Sequence, residues 1–145
     1  MKVLIDTNVI LDFFISRKPH AEDAGKIFEF IINDKFAAFT TASSITDVYY
    51  ITAKRLGDIE ARDVIKQLLK ILGVIAVDGS DCVNALELPM GDYEDALVVT
   101  CAKKEDIDYI VSNDKEFSEV NATIATVIST KKLVRIVSNK EVVAV

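Results

Sequence analysis

Short uninterrupted apolar runs alternate along the chain with longer segments in which apolar residues return every third or fourth position. The first run, Val3-Leu4-Ile5, is closed by the polar Asp6-Thr7-Asn8, as suits a strand buried on both faces. Residues 9–15 set Val9, Ile10, Phe13 and Phe14 at helical spacing before Arg17-Lys18-Pro19-His20 interrupts them, which predicts a short helix. Ala24, Ile27, Phe28, Ile31 and Ile32 mark an amphipathic second helix over 21–32. A strand follows over 36–40. The next helix, over 43–56, opens with Ser44 and Asp47 spaced as a capping-box variant and stops at Gly57. Another covers 59–72, with Ala61, Val64, Ile65, Leu68 and Leu69 on one stripe and Gly73 at its end.

Residues 74–77 read as a third strand, Asp78-Gly79 as a turn, and Ser80 as the cap of a short helix reaching Leu88 before Pro89. The segment 92–105 is the most apolar helix: Ala96, Leu97, Val98, Val99, Cys101 and Ala102 nearly encircle it, so a position deep in the fold is expected. A fourth strand is predicted over 109–111 and a fifth over 124–128. From Lys131 onward the pattern is too mixed to assign. Strands alternating with helices predict an α/β three-layer sandwich with a mainly parallel central sheet of about five strands, in a single domain over residues 1–145.

Composition narrows this picture. Half of the 145 residues are hydrophobic, ample for a continuous core. The net charge of -6 argues against a generic polyanion-binding surface, so any nucleic-acid role must rest on local features. Two cysteines without a C-x-x-C and a single histidine support neither a disulfide framework nor a zinc cluster. No apolar stretch could span a bilayer, and Asp6 interrupts the first apolar run where a signal peptide would continue. A cytoplasmic protein with reduced thiols and no membrane association is expected.

The candidate chemistry is acidic. Asp6, Asp47, Asp92, Asp95 and Asp114 each fall at a strand's carboxyl end or in the first turn of a helix, the edge where open parallel sheets bind ligands. Asp92 and Asp95, three apart, project to one side of their helix, whereas Glu94 is expected to point away from both. Each also has a plain structural reading. Asp6 and Asp92 can cap helices, Asp95 suits a helix dipole, Asp47 fits the capping box, and Asp114 can start a turn. Clustered carboxylates repel one another and titrate as a coupled set unless a cation joins them. Oxygen ligands without His or Cys favour Mg²⁺ or Mn²⁺ and a phosphate-ester substrate, whose hydrolysis such an ion can promote.

These motifs resemble the PIN-domain family, in particular its small VapC-like toxin ribonucleases. The likeness rests on Asp6-Thr7-Asn8 after the first strand, Asp92-Tyr93-Glu94-Asp95-Ala96 opening a late helix, and Ser112-Asn113-Asp114 with Phe117 after the fourth strand. It implies a metal-dependent endoribonuclease with Asp6, Asp95 and Asp114 as metal-site carboxylates, Asp92 as a further acidic contributor, and Asn8 and Ser112 as polar supports. It also implies a cognate antitoxin and, together with the apolar helices over 21–72, a homodimer. Where the family usually carries Glu after the second strand, this chain has Asp47, one methylene shorter. It would reach an ion through a water, or leave the site weak or inactive.

The alternative is therefore a catalytically inactive PIN scaffold that binds RNA or a protein. A phosphatase of another α/β family is disfavoured, because Asp6-Thr7-Asn8 lacks a second aspartate two residues on. Cys101 and Cys82 read as packed thiols, and Tyr49 and Tyr50 as core or interface residues rather than base-stacking platforms. Arg17, Lys18 and His20 follow the first helix and read first as a solvated turn, with contact to an RNA backbone near the acidic site as the lesser alternative.

Overall fold

The computed structural model describes the backbone of residues 1–144 and the side chains of residues 1–140. Five strands, β1 (Lys2–Ile5), β2 (Ala37–Thr41), β3 (Gly73–Ile75), β4 (Tyr109–Val111) and β5 (Val127–Ile128), form one sheet in the order β3-β2-β1-β4-β5. Every pairing is parallel. Eight helices accompany them among the described residues: α1 (Thr7–Phe14), α2 (Ala21–Ile32), α3 (Ala42–Leu56), α4 (Asp58–Ile71), α5 (Gly79–Leu86), α6 (Tyr93–Lys104), α7 (Lys115–Ser118) and α8 (Thr130–Ala144).

Successive strand residues face opposite ways, and β1 divides the core accordingly. Val3 and Ile5 pack with Val9, Ile27, Phe28, Val48, Leu68 and Leu133, from the layer built by α1 to α4 and α8. Leu4 packs with Val98, Val99, Cys101 and Phe117, from α6 and α7 on the other face, and α5 lies against α6. The expected three-layer α/β sandwich is thus the observed one. Phe28 and Phe117 are among the largest fully buried side chains, each contributing about 1.5–3 kcal/mol by removal from water.

Differences from the expected elements have local causes. α1 begins at Thr7 because Asp6 Oδ1 accepts from the Thr7 N–H at 2.9 Å. α3 begins at Ala42 because Thr41 Oγ1 accepts from the Ser44 N–H at 3.1 Å, so the expected Ser44–Asp47 box does not define that helix start. α5 is opened by a capping box between Asp78 and Asp81, not by Ser80, whose hydroxyl donates to Asp78. β3 is short because it pairs only with Phe39, Thr40 and Thr41. Gly73 there leaves room for Phe39, whose ring would stand 2.7 Å from an added Cβ.

The unassigned tail is the helix α8. Leu133 and Val137, four residues apart, are buried and α8 packs on α2, while Lys131, Lys132, Arg135 and Lys140 stay exposed. α6 is less enclosed than expected: Ala96, Val98, Val99, Cys101 and Ala102 are buried, but Leu97 is half-buried and Lys103 and Lys104 are exposed. Cys101 is a packed thiol, whereas Cys82 is exposed, contrary to expectation, on the outer side of α5. Among the described residues no helix is long and apolar enough to cross a membrane.

Candidate active site

The strand order places the acidic residues. The chain moves outward from β1 through β2 to β3, then returns to the other side of β1 for β4 and β5, so the connections diverge at the β1/β4 junction. In open parallel sheets that divergence opens a crevice at the strands' carboxyl ends. Ile5 pairs with Val111 across it, and the next residue on each strand is Asp6 and Ser112.

Asp6 is held by three donors. Its Oδ1 accepts from the Thr7 N–H, and its Oδ2 accepts from Ser112 Oγ at 2.9 Å and from Asn8 Nδ2 at 3.0 Å. Asn8 Nδ2 also donates to Ser112 Oγ at 3.0 Å, and the Asp114 N–H donates to the same oxygen at 3.1 Å. The Ser112 hydroxyl thus gives one hydrogen bond and takes two, its full capacity. Asn113 extends the network: its N–H donates to Asn8 Oδ1, and its own Oδ1 accepts from Thr130 at the start of α8. Asp114 is also the cap of α7, through Oδ1 and the Glu116 N–H. Capping and facing the crevice are compatible, because a carboxylate has two oxygens.

A cleft of about 520 Å³ opens above this network, lined by Asp6, Asn8, Asp47, Glu94, Asp95 and Asp114 together with Arg17. Ser112 lies buried beneath. Asp92 stands apart: its Oδ1 accepts from the Asp95 N–H, and it lines an adjoining hollow of about 450 Å³ that shares Asp95 with the cleft. Glu94 is a correction, since it lines the cleft instead of pointing away. In the first helical turn it follows the crevice rim, a position that residue spacing along a regular helix does not reveal. Arg17 is another correction. It is half-buried and paired with Asp12 at 2.9 Å, not a solvated turn residue. An acid in the middle of the apolar run 9–15 was the available signal, because a buried Asp12 requires a partner.

The electrostatics show crowding. Burial pushes the Asp6 carboxyl up; the Ser112 hydroxyl and the Thr7 N–H pull it back, and Asp114 and Glu94 push it up again. Asp95 is pushed up to about 7, first by desolvation, then by Asp92, Asp6, Asp114 and Glu94. Desolvation also raises Asp47. Like charges near one another disfavour joint ionisation, and a cation removes the conflict. Among the described residues no group of three or more His, Cys, Asp or Glu side chains is arranged to hold a metal ion as it stands. The donor set nonetheless suits Mg²⁺ or Mn²⁺, which need only one or two direct carboxylates with water completing the shell. The lining side chains able to ligate a metal ion are oxygen donors, with no His or Cys among them.

Fold and cleft together define an open parallel α/β domain with an acidic site at its switch point. The PIN domain family model matches residues 2–116, and the chain belongs to the PIN domain family. Ribonuclease VapC1 of Aquifex aeolicus (strain VF5) is 33% identical over 130 residues, covering 86% of this chain and 90% of that protein. VapBC2 from Rickettsia felis, solved bound to a promoter DNA fragment, superposes with a TM-score of 0.68 at 15% identity, covering 89% of this chain and 98% of that one. VapC20 of Mycobacterium tuberculosis, a sarcin-ricin loop cleaving toxin, gives 0.66 at 14% identity, covering 80% and 92%. At such identities the two structures show a shared fold.

Proposed function

We propose that this chain is a Mg²⁺- or Mn²⁺-dependent endoribonuclease, the toxin of a toxin–antitoxin pair, acting in the cytoplasm as a single-domain protein and assembling as a homodimer. The observation that carries the reading is the cleft in which Asp6, Asp95 and Asp114 feel one another's charge while Asn8 and Ser112 fix the first of them. The likeness to Ribonuclease VapC1 supports RNA as substrate, and solved toxin–antitoxin complexes of the same fold support an antitoxin partner.

A bound divalent ion would supply an activated water and neutralise charge at the phosphate. The chain's own residues set the terms. Asp6, Asp95 and Asp114 would hold the ion, and Asp92 accepts from the backbone N–H of Asp95 so that the Asp95 carboxylate is directed from a fixed helix start. Ser112 and Asn8 hold Asp6 Oδ2 from below. Asp95, at about 7, carries a proton part of the time at neutral pH and must release it for the ion to bind. Asp47, which lines the same cleft, would add a further carboxylate to the set.

Purified protein incubated with single-stranded and structured RNAs should cleave them with Mg²⁺ or Mn²⁺, and should lose cleavage both in EDTA and on Asp95→Asn. Cleavage that survives EDTA and Asp95→Asn would contradict the reading. A second reading, an inactive scaffold, is favoured by the absence of a ready three-carboxylate grouping among the described residues. It predicts no measurable Mn²⁺ binding by calorimetry.

A further inference from the structure

The acidic cleft contains a guanidinium. Arg17 is the one cation among the described residues that line it, together with Asp6, Asp47, Glu94, Asp95 and Asp114. Its position is built from the end of α1. Ser16 takes a positive φ of 52°, and the Arg17 N–H donates back to the Asp12 carbonyl at 3.0 Å. The side chain is then fixed along one edge: Nε donates to Asp12 Oδ1 at 2.9 Å, and Nη2 donates to the Asn8 carbonyl at 3.0 Å. The two partners differ in exposure, with the Asp12 side chain at 8% and that of Arg17 at 34%. The carboxylate is an internal anchor, and the guanidinium opens onto the cleft.

That asymmetry points to a ligand. A guanidinium has five N–H donors, and Nε and Nη2 each give one to the protein while Nη1 gives none to a described residue. Nor does Arg17 form an ion pair with any of the cleft carboxylates. Its free donors therefore remain for an anion that enters from solvent. A site with so many carboxylates repels an RNA strand, and the fork of an arginine matches two phosphate oxygens. We infer that Arg17, anchored by Asp12 and the Asn8 carbonyl, is a substrate-binding residue that holds non-bridging phosphate oxygens of the RNA backbone at the mouth of the acidic cleft. The inference rests on the nuclease reading above for the identity of the anion. Anchored on α1 two residues after Asp6, the Asn8 carbonyl ties the placement of that phosphate to the placement of the first carboxylate.

The test compares wild type, Arg17→Gln, Arg17→Lys and the neutral pair Asp12→Asn/Arg17→Gln, which avoids leaving a buried carboxylate alone. Each is also made with Asp95→Asn, so that binding of a fluorescent single-stranded oligoribonucleotide is read by anisotropy without turnover, across a series of KCl concentrations. Removing the guanidinium should weaken RNA binding about tenfold and flatten the log–log salt slope by about 0.7, the contribution of one single-strand phosphate. Arg17→Lys should keep most of the slope. Mn²⁺ affinity, measured by calorimetry in the Asp95-containing proteins, should be unchanged or tighter, because a positive charge has left the cleft. An unchanged RNA affinity and slope would overturn the inference. So would a parallel loss of RNA binding, Mn²⁺ binding and melting temperature in both Gln variants, the signature of a scaffold residue. Failure of wild type to cleave RNA sinks the nuclease reading alone, since the anisotropy series is independent of cleavage.

Discussion

Asp95 is ionised at a cost that the fold bears in the absence of a cation. Its carboxyl moves from 3.8 to about 7 on folding, so the folded chain holds that proton more tightly than the unfolded chain does. The contribution to stability is complete below about pH 3.8 and is lost as pH rises through about 7. At 1.36 kcal/mol per unit the full effect is roughly 4 kcal/mol, and partial exposure of Asp95 screens it to about 1–2 kcal/mol. Asp95→Asn removes the charge and keeps the shape. In EDTA at pH 8 the variant should melt about 3–8 °C higher than wild type, with the difference growing from pH 4 to pH 7 and levelling above. Added Mn²⁺ should raise the wild-type melting temperature and leave the variant's nearly unchanged. A variant that melts lower than wild type at pH 8 in EDTA, or a difference independent of pH, would refute the reasoning.

Ser112→Ala removes a hydroxyl that serves Asp6, Asn8 and Asp114 at once; denaturant titration should show a loss of about 1–3 kcal/mol, and the acid limb of the activity profile should move to higher pH because Asp6 loses its largest lowering contact. Asp47→Glu restores the missing methylene and should tighten Mn²⁺ binding about tenfold, equivalent to about 1.4 kcal/mol, as read by calorimetry. Gly73→Ala drives a Cβ into the Phe39 ring and should destabilise by about 1–3 kcal/mol in thermal melts without altering Mn²⁺ affinity.

The parts of the fold legible in the sequence are those where one periodicity decides the element. Val3-Leu4-Ile5 and the stripes of α2 and α4 are of that kind, and with them the layered parallel architecture. What stayed hidden depended on partners distant in sequence. Leu133, Val134, Ile136 and Val137 are interleaved with Lys131, Lys132, Arg135 and Lys140 in a run too short to decide between helix and strand, and α8 becomes legible only once α2 offers a surface to cover Leu133 and Val137. Capping was only partly readable, because Thr41 and Asp78 stand just outside the helices whose starts they define. At the site, the edge of the sheet foretold Asp6, Asp95 and Asp114 in one cleft. It did not foretell that Asp92 would be turned to an adjoining hollow or that Glu94 would replace it at the rim, and it ranked a solvated turn above the place that Arg17 takes in the cleft lining. Those depend on side-chain directions at helix termini, which residue spacing alone does not determine. The apparent conflict between capping and site roles dissolves in the geometry, since Asp6 caps α1 with one oxygen and meets Ser112 and Asn8 with the other.

The most direct test of the central claim is a crystal structure of the protein soaked in Mn²⁺, with the ion located by its anomalous scattering. The account predicts a peak within coordination distance of at least one carboxylate among Asp6, Asp95 and Asp114, with the others reaching it directly or through a water, and no such peak in Asp95→Asn. An ion bound elsewhere, or a cleft that stays without anomalous density at millimolar Mn²⁺, would contradict it.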